Sequence, residues 1–324
     1  MSDPQKVPKV ECSLSDIVFG VSLGEGAFGN VRVGWLKTNK SQKYAVKTMK
    51  KAEIIKSKHV DHIENEKNIL EKIQHPFVLD YYGFLQDERY IYFLTELLRG
   101  GDLFTYHRSV GHFSAKQTQF YGAQIVCIFE YLHGKDIIYR DLKPENIMIG
   151  DDGFLKLIDF GFAKVVRKRT YTICGTPEYI APEILLNQGH SKPVDWWTLG
   201  ILVYEMLAGF PPFQDEDPMN IYRKIINTKP RYPEGFDSKC KSLVKHLLRR
   251  DLSKRFGNLK NGVDDIKNHR FFEHFSWSNL LLKKLDTPYL PKLEAVSEKE
   301  SSFTKDKSSQ AEKVEKGDDP FINW

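Results

Sequence analysis

Cysteine is scarce and scattered. The chain has four, at positions 12, 127, 174 and 240, so no Cys-x-x-Cys pair exists for zinc or thiol–disulfide work, and a reducing compartment is the expected setting. Long apolar runs are missing as well, since no stretch approaches the roughly 18 residues that a bilayer-spanning helix needs. Met1-Ser2-Asp3-Pro4-Gln5-Lys6 has no apolar run and no glycine at position 2. Neither a secretory signal nor an N-myristoyl motif is therefore expected. Charge of one sign is also in short supply. Lys+Arg 48 against Asp+Glu 43 leaves a net +5, too small and dispersed to argue for a nucleic-acid binder. What remains is an ordinary globular balance, 41% hydrophobic and 13% aromatic over 324 residues, which excludes wholesale disorder and suffices for one large two-lobed domain or two small ones.

From Ile17 to about Leu98 the pattern is strand-like. Val31 and Val33 alternate across Arg32, Tyr44-Ala45-Val46 is a short apolar run, and Tyr90–Thr95 is rich in aromatic and branched residues. One helix interrupts it, around Val60 to Ile73, with Val60, Ile63, Ile69, Leu70 and Ile73 at helical spacing. After Gly100-Gly101 the period switches to long helices, notably Ala115–His133 and Asp195–Ala208, while Ile137–Phe162 reads as paired short strands split by Asp151-Asp152-Gly153. From Glu294 to Asp319, five lysines, eight acids and a single aromatic, Phe303, describe a tail that cannot fold alone. Pro320-Phe321-Ile322-Asn323-Trp324 is apolar again and reads as a docked end. The expected organisation is an extension over 1–14, a small lobe over 15–98, a large lobe over 99–285 and a tail over 286–324. The fold class is α+β, with a sheet-rich lobe bearing one main helix and a larger helical lobe.

Leu23-Gly24-Glu25-Gly26-Ala27-Phe28-Gly29-Asn30-Val31 has the spacing G-x-G-x-x-G. Glycines let a backbone turn approach phosphate oxygens and offer them N–H groups. In the dinucleotide fingerprint a helix must begin at the third glycine, whereas the residues after Gly29 are strand-like; a plain glycine-rich hairpin is the other reading. Lys47 ends the run Ala45-Val46-Lys47, and Glu66 lies on the small-lobe helix, where the two can pair to position a cation for nucleotide phosphates. Taken singly, either residue would be a solvated surface charge. Further along stands Tyr139-Arg140-Asp141-Leu142-Lys143-Pro144-Glu145-Asn146, then Ile158-Asp159-Phe160-Gly161, with Asp159 eighteen residues beyond Asp141.

With these motifs in this order the chain resembles the eukaryotic protein kinases over roughly Ser15 to Leu293. The resemblance implies a bilobal fold, transfer of the ATP γ-phosphoryl, and two magnesium ions. It makes Asp141 the proton acceptor and puts Lys143 on the moving phosphoryl group. Lys47, held by Glu66, falls on the α- and β-phosphates, and Asn146 and Asp159 become magnesium ligands. Leu23, Gly24, Gly26, Phe28, Gly29, Val31, Ala45, Thr95, Glu96, Leu98, Asp102, Met148 and Phe303 fall among its nucleotide contacts. Glu183 of Ala181-Pro182-Glu183 matches the partner of Arg255, and Asp195 matches the residue that holds the catalytic-loop backbone. Lys143 and Thr176 match the serine/threonine branch, and Phe162 goes with serine over threonine.

Phe160–Lys164, Thr172–Tyr179 and Arg255–Val263 read most like the cyclic-AMP-dependent catalytic subunits of the AGC group. That likeness makes Thr172 a phosphorylation site whose phosphate gathers His62, Arg140 and Lys164. Glu145, Glu205 and Asp102 would take arginines before the acceptor serine, and Ile173, Pro177 and Ile180 would form an apolar socket after it. Asp102 is one methylene shorter than the family's glutamate, and the tail around Phe303 lacks the family's acidic cluster. Ser308 and Ser309 are candidate tail phosphosites. Cys174 is a small structural residue or, on the alternative reading, a redox sensor. The implied partners are proteins with basic residues before serine, a cyclic-AMP-binding regulatory subunit and a pseudosubstrate inhibitor, with neither nucleic acid nor membrane insertion. The expected location is cytoplasmic, with nuclear entry also open. Another basophilic AGC kinase and a catalytically silent pseudokinase are the alternatives.

Overall fold

The computed structural model describes residues 9–26, 29–293, 311–315 and 317–324. The described parts fall into two compact units, one drawn from Met1–Gln74, Leu79–Arg99 and Leu293–Trp324, the other from His75–Val78 and Gly100–Lys292.

The first unit is built on five antiparallel strands, β1 (Ile17–Gly26), β2 (Gly29–Leu36), β3 (Asn39–Lys50), β4 (Tyr81–Gln86) and β5 (Tyr90–Glu96), in the order β1-β2-β3-β5-β4. Strand alternation sorts the residues of β3 and β5 by face. Tyr44 and Val46 share one face with Tyr90, Tyr92 and Leu94, and this face is covered by Val10, Cys12 and Leu14 from the start of the chain and by Ala311 from its end. Lys47 lies on the opposite face with Phe93 as its direct neighbour in β5.

Two helices come after β3, where the sequence pattern shows one: α1 (Lys51–Lys56) and α2 (Val60–Leu70). A helix of six residues is too short to display a period, which is why α1 escapes the pattern. Ile73 lies beyond α2, past the turn at Glu71–Lys72 and before His75-Pro76.

The chain's last residues pack on this same unit. Phe321 is fully buried, its carbonyl accepts from Gln86 Nε2 at 2.8 Å, and Trp324 lies 5.8 Å from the Phe84 ring. Lys51, itself buried, donates to Asp319 at 2.6 Å and to Gln86 at 2.8 Å, under the Phe321 ring.

The second unit is helical. Its two long helices are α4 (Ala115–Gly134) and α6 (Pro193–Ala208), with α3 (Leu103–Val110), α5 (Pro182–Leu185), α7 (Pro218–Asn227), α8 (Ser238–Leu247), α9 (Asp264–Lys267) and α10 (Trp277–Leu281). Ser114 caps α4 with a reciprocal bond to Gln117, and α6 opens on Pro193 and ends at Gly209 in left-handed conformation. Both helices are apolar nearly all round, as central helices must be. Four short strands carry the loops between them. β7 (Ile147–Ile149) and β8 (Leu155–Leu157) form a hairpin over Asp151-Asp152-Gly153, and β6 (Ile137–Ile138) pairs with β9 (Lys164–Val165).

Candidate functional site

The sheet unit holds the glycine turn and the cation. Gly24 pairs with Val31 and Gly26 with Gly29, so the motif is a hairpin between β1 and β2. Two glycines there differ. A Cβ on Gly29 would sit 1.9 Å from the Thr48 carbonyl oxygen, so β2 can lie against β3 only with glycine at this place, whereas a Cβ on Gly24 would meet nothing. Packing therefore does not require glycine at position 24. Phe28, Phe303, Ser308 and Ser309 lie outside the described residues.

Lys47 is opposite Val31 in β2. Its Nζ donates to both oxygens of Glu66 on α2, at 3.0 and 3.2 Å. The carboxylate is buried while the lysine side chain stays 35% exposed. Ala45 is buried opposite Thr95, whose hydroxyl leans on the Ala45 carbonyl at 3.4 Å. Glu96 accepts from the Asp80 amide at 2.8 Å, Leu98 is half-buried and Leu23 is exposed. His62 lies on α2, edge-on to His59.

The helical unit holds the acids. Asp195, on the first turn of α6, is completely buried and accepts three bonds: from His133 Nε2 at 2.7 Å, from the Tyr139 amide at 3.0 Å and from the Arg140 amide at 2.9 Å. This clamp holds Arg140 at φ +72°, a left-handed conformation costly for a side chain of that size. Asp141 comes next, buried, with Lys143 Nζ at 3.1 Å and Asn146 Nδ2 at 2.8 Å from its Oδ2. Burial pushes the Asp141 carboxyl above the usual carboxylate range, with nearby Asp159 adding to it against the pull of Lys143 and Asn146. Asp159 is exposed at φ +58°, with Oδ1 accepting from the Gly161 amide, and Phe160 is buried edge-on to Tyr139.

No group of three or more His, Cys, Asp or Glu that could hold a metal occurs among the described residues. A pair of protein oxygens suits a hard divalent cation that takes its remaining ligands from phosphates and water. Asn146 turns its amide nitrogen to Asp141, which frees its oxygen, and Asp159 presents an exposed carboxylate; the donor set fits magnesium.

Further acids lie elsewhere in the helical unit. Glu205 on α6 is buried and accepts from Tyr179 Oη at 2.6 Å; burial raises its carboxyl, as do Glu145 and Glu178, while Arg108 opposes them. Glu145 is exposed. Asp102 caps α3, taking the Thr105 amide at 2.7 Å and its hydroxyl at 2.9 Å, and its backbone bridges to half-buried Met148 in β7. Ile180 is buried, Pro177 half-buried and Ile173 exposed. Glu183 and Arg255 form a buried two-pronged pair at 2.6 and 2.9 Å. Thr172 is exposed. Lys164 reaches the hydroxyl of Thr170 at 3.2 Å, and Arg140 Nε donates to the Phe162 carbonyl at 2.7 Å. Burial raises the Cys174 thiol, which argues against ready oxidation and for the structural reading.

The structure adds three residues that motif reading passes over. Tyr179 and Glu178 stand inside Pro177-Glu178-Tyr179, where their link to Glu205 could have been sought. His133 carries no local signal, because it is defined only by its contact with Asp195.

The protein kinase domain family matches residues 17–272. The chain is 49% identical over 279 residues to cAMP-dependent protein kinase catalytic subunit 3 of Drosophila melanogaster, covering 86% of this chain and 48% of the fly protein. It is 47% identical over 281 residues to the human cAMP-dependent protein kinase catalytic subunit PRKX, covering 87% and 78%. Against cAMP-dependent protein kinase type 3 of Saccharomyces cerevisiae it is 41% identical over 312 residues, 96% and 78%. The chain thus spans about half the length of the fly relative and more than three-quarters of the other two.

Proposed function

From the premise that the chain belongs to the protein kinase family, we propose that it transfers the γ-phosphoryl group of ATP to serine, and less well to threonine, in Arg-rich protein segments, as a cyclic-AMP-dependent catalytic subunit. The observation that carries this reading is the state of Asp141: buried, more basic than an ordinary carboxyl, and fixed by Lys143, Asn146 and the Asp195 clamp.

In the proposed reaction Asp141 accepts the hydroxyl proton of the substrate serine as the serine oxygen attacks the γ-phosphorus and the bond from that phosphorus to the β–γ bridging oxygen breaks, releasing ADP. Lys143 neutralises the charge on the moving group, and Lys47, oriented by Glu66, holds the α- and β-phosphates. Asn146 and Asp159 would hold magnesium, which when bound offsets phosphate charge. Gly24, Gly26 and Gly29 bring backbone N–H groups to the phosphates, while Val31, Ala45, Thr95, Glu96, Leu98 and Met148 supply the contacts for the base. Glu145, Glu205 and Asp102 select arginine ahead of the acceptor. An apolar residue after it fits Ile173, Pro177 and Ile180.

The test is incorporation of labelled phosphate from magnesium ATP into an Arg-Arg-x-Ser-apolar peptide. Transfer that Asp141→Asn reduces by about 10²–10⁴-fold supports the reading. Absence of transfer by protein carrying phosphate on Thr172 would sink it. For partners, the names of the relatives suggest a separate regulatory subunit; we propose further that it binds cyclic AMP and carries an inhibitory Arg-rich segment, and that the kinase is cytoplasmic with nuclear entry. Capture of such a subunit, released by cyclic AMP, is the expected result; failure to bind any favours another basophilic kinase of the group. Among the described residues no helix is long and apolar enough to cross a membrane.

A further inference from the structure

Arg140 and His190 each keep a buried nitrogen without a hydrogen-bond partner, Nη1 of the arginine and Nε2 of the histidine, on side chains 8% and 3% exposed. Buried polar groups are almost always satisfied, so two orphans together ask for a ligand. Their surroundings give its sign. The charges that act on His190 are Arg140, Lys164, Glu183 and Asp195. Both acids are already engaged, Glu183 by the two-pronged bond from Arg255 and Asp195 by His133 and two backbone amides. The cations rest on neutral oxygens, Arg140 on the Phe162 carbonyl and Lys164 on the Thr170 hydroxyl. A buried guanidinium left without an anion is costly, and an anion completes it.

The backbone brings a source of that anion alongside. Thr170 and His190 exchange both amide-to-carbonyl bonds, at 2.8 and 2.9 Å, which fixes the activation segment beside the histidine. Four residues on, the Cys174 thiol feels Arg140 and Lys164. Thr172 lies midway, exposed, and about 7 Å from Thr170 along an extended chain.

We propose that His190 is a ligand of a phosphate monoester bound with Arg140 and Lys164, and that the phosphate is the one carried by Thr172 of this same chain. The inference rests on the kinase reading only in taking Thr172 as the modified residue. His190 makes the hold pH-dependent. Without phosphate, burial and the two cations keep its imidazole neutral, with its pKa down at about 4. A phosphate dianion raises that value, so the phosphate-dependent stability is present at lower pH and is lost as pH rises through the raised value.

The experiment compares melting of the full chain with and without phosphate on Thr172, checked by mass spectrometry, at about pH 6.5 and about pH 8.5. An activating kinase is supplied if the chain does not modify itself. Wild type is expected to gain about 2–4 °C more from phosphorylation at the lower pH. His190→Leu should lose that pH dependence. His190→Gln, which keeps an N–H donor but cannot charge, should retain a gain that does not vary with pH. Equal gains at both pH values in wild type and His190→Leu overturn the proposal. A second arm adds millimolar inorganic phosphate to Thr172→Ala. Stabilisation that disappears in the Thr172→Ala, His190→Leu double variant assigns the same site to free phosphate and overturns the Thr172 assignment if phosphorylated wild type shows no gain. No stabilisation in either arm overturns the site. Peptide phosphorylation is measured in parallel: transfer without any His190 effect sinks only this inference, and a His190 effect without transfer sinks only the kinase reading.

Discussion

Two ion pairs, one in each unit, look alike on paper and differ in what surrounds them. Glu183 and Arg255 are both buried, and the guanidinium also donates to the Pro193 and Arg249 carbonyls and lies against the Trp197 ring. Every direction is filled by protein. Lys47 and Glu66 share the same kind of bond, yet the lysine side chain is 35% exposed. A pair enclosed by protein can only hold structure, whereas a pair with one member at the surface is also exposed to solutes. The difference predicts that the first acts on stability and the second on turnover.

Glu183→Gln should break the comparison most visibly. Leaving Arg255 charged and buried without its partner costs roughly 3–5 kcal/mol, read as a lowered midpoint in urea. A drop below about 1 kcal/mol would show that the pair is not the anchor its burial implies. Asp319→Asn, which neutralises the acid opposite buried Lys51 but leaves Gln86 in place, should cost less, about 1–3 kcal/mol.

Acid should act next. His75 is buried against Phe77 and Tyr131, and burial with nearby Lys156 lowers its pKa from the ordinary 6.5 to about 3. The unfolded chain therefore takes up the proton first, so stability falls as pH drops below about 6.5 and goes on falling towards about 3. The loss is about 2 kcal/mol at about pH 5, and His75→Gln should flatten that limb of the melting curve. Lys47→Met takes this cation away from the buried Glu66 carboxylate and should cost about 1–3 kcal/mol, less than Glu183→Gln because the lysine side chain is itself partly exposed, while abolishing phosphate transfer. If it unfolded the chain instead, the contrast between the two pairs would collapse.

The candidate residues for phosphoryl transfer could be picked out because that chemistry asks for particular side chains in a set chain order. Asp141, Lys143, Asn146 and Asp159 could be named with roles from their spacing and family likeness. The long helices α4 and α6 were legible within one or two residues from their apolar pattern, and the start of α6 at Pro193, two residues before the pattern begins, was missed. The rest is contact rather than pattern. A six-residue helix such as α1 and two-residue strands such as β6 and β9 are shorter than any period. His133 and Glu178 matter through partners distant in sequence, and the open nitrogens of Arg140 and His190 become visible only when their neighbours' bonds have been counted.

The Lys51–Asp319 bond joins positions 268 residues apart, and Ala311 closes the same sheet that Val10, Cys12 and Leu14 line. On a ribosome, where residues emerge in order, the first unit to appear is thus the last to be finished. Its strands must wait, with one apolar face unsealed, while the helical unit is made and folds. A nascent chain halted after residue 99 should be prone to aggregation or in need of a chaperone, and release of the final residues should mark the moment at which it becomes resistant to proteolysis.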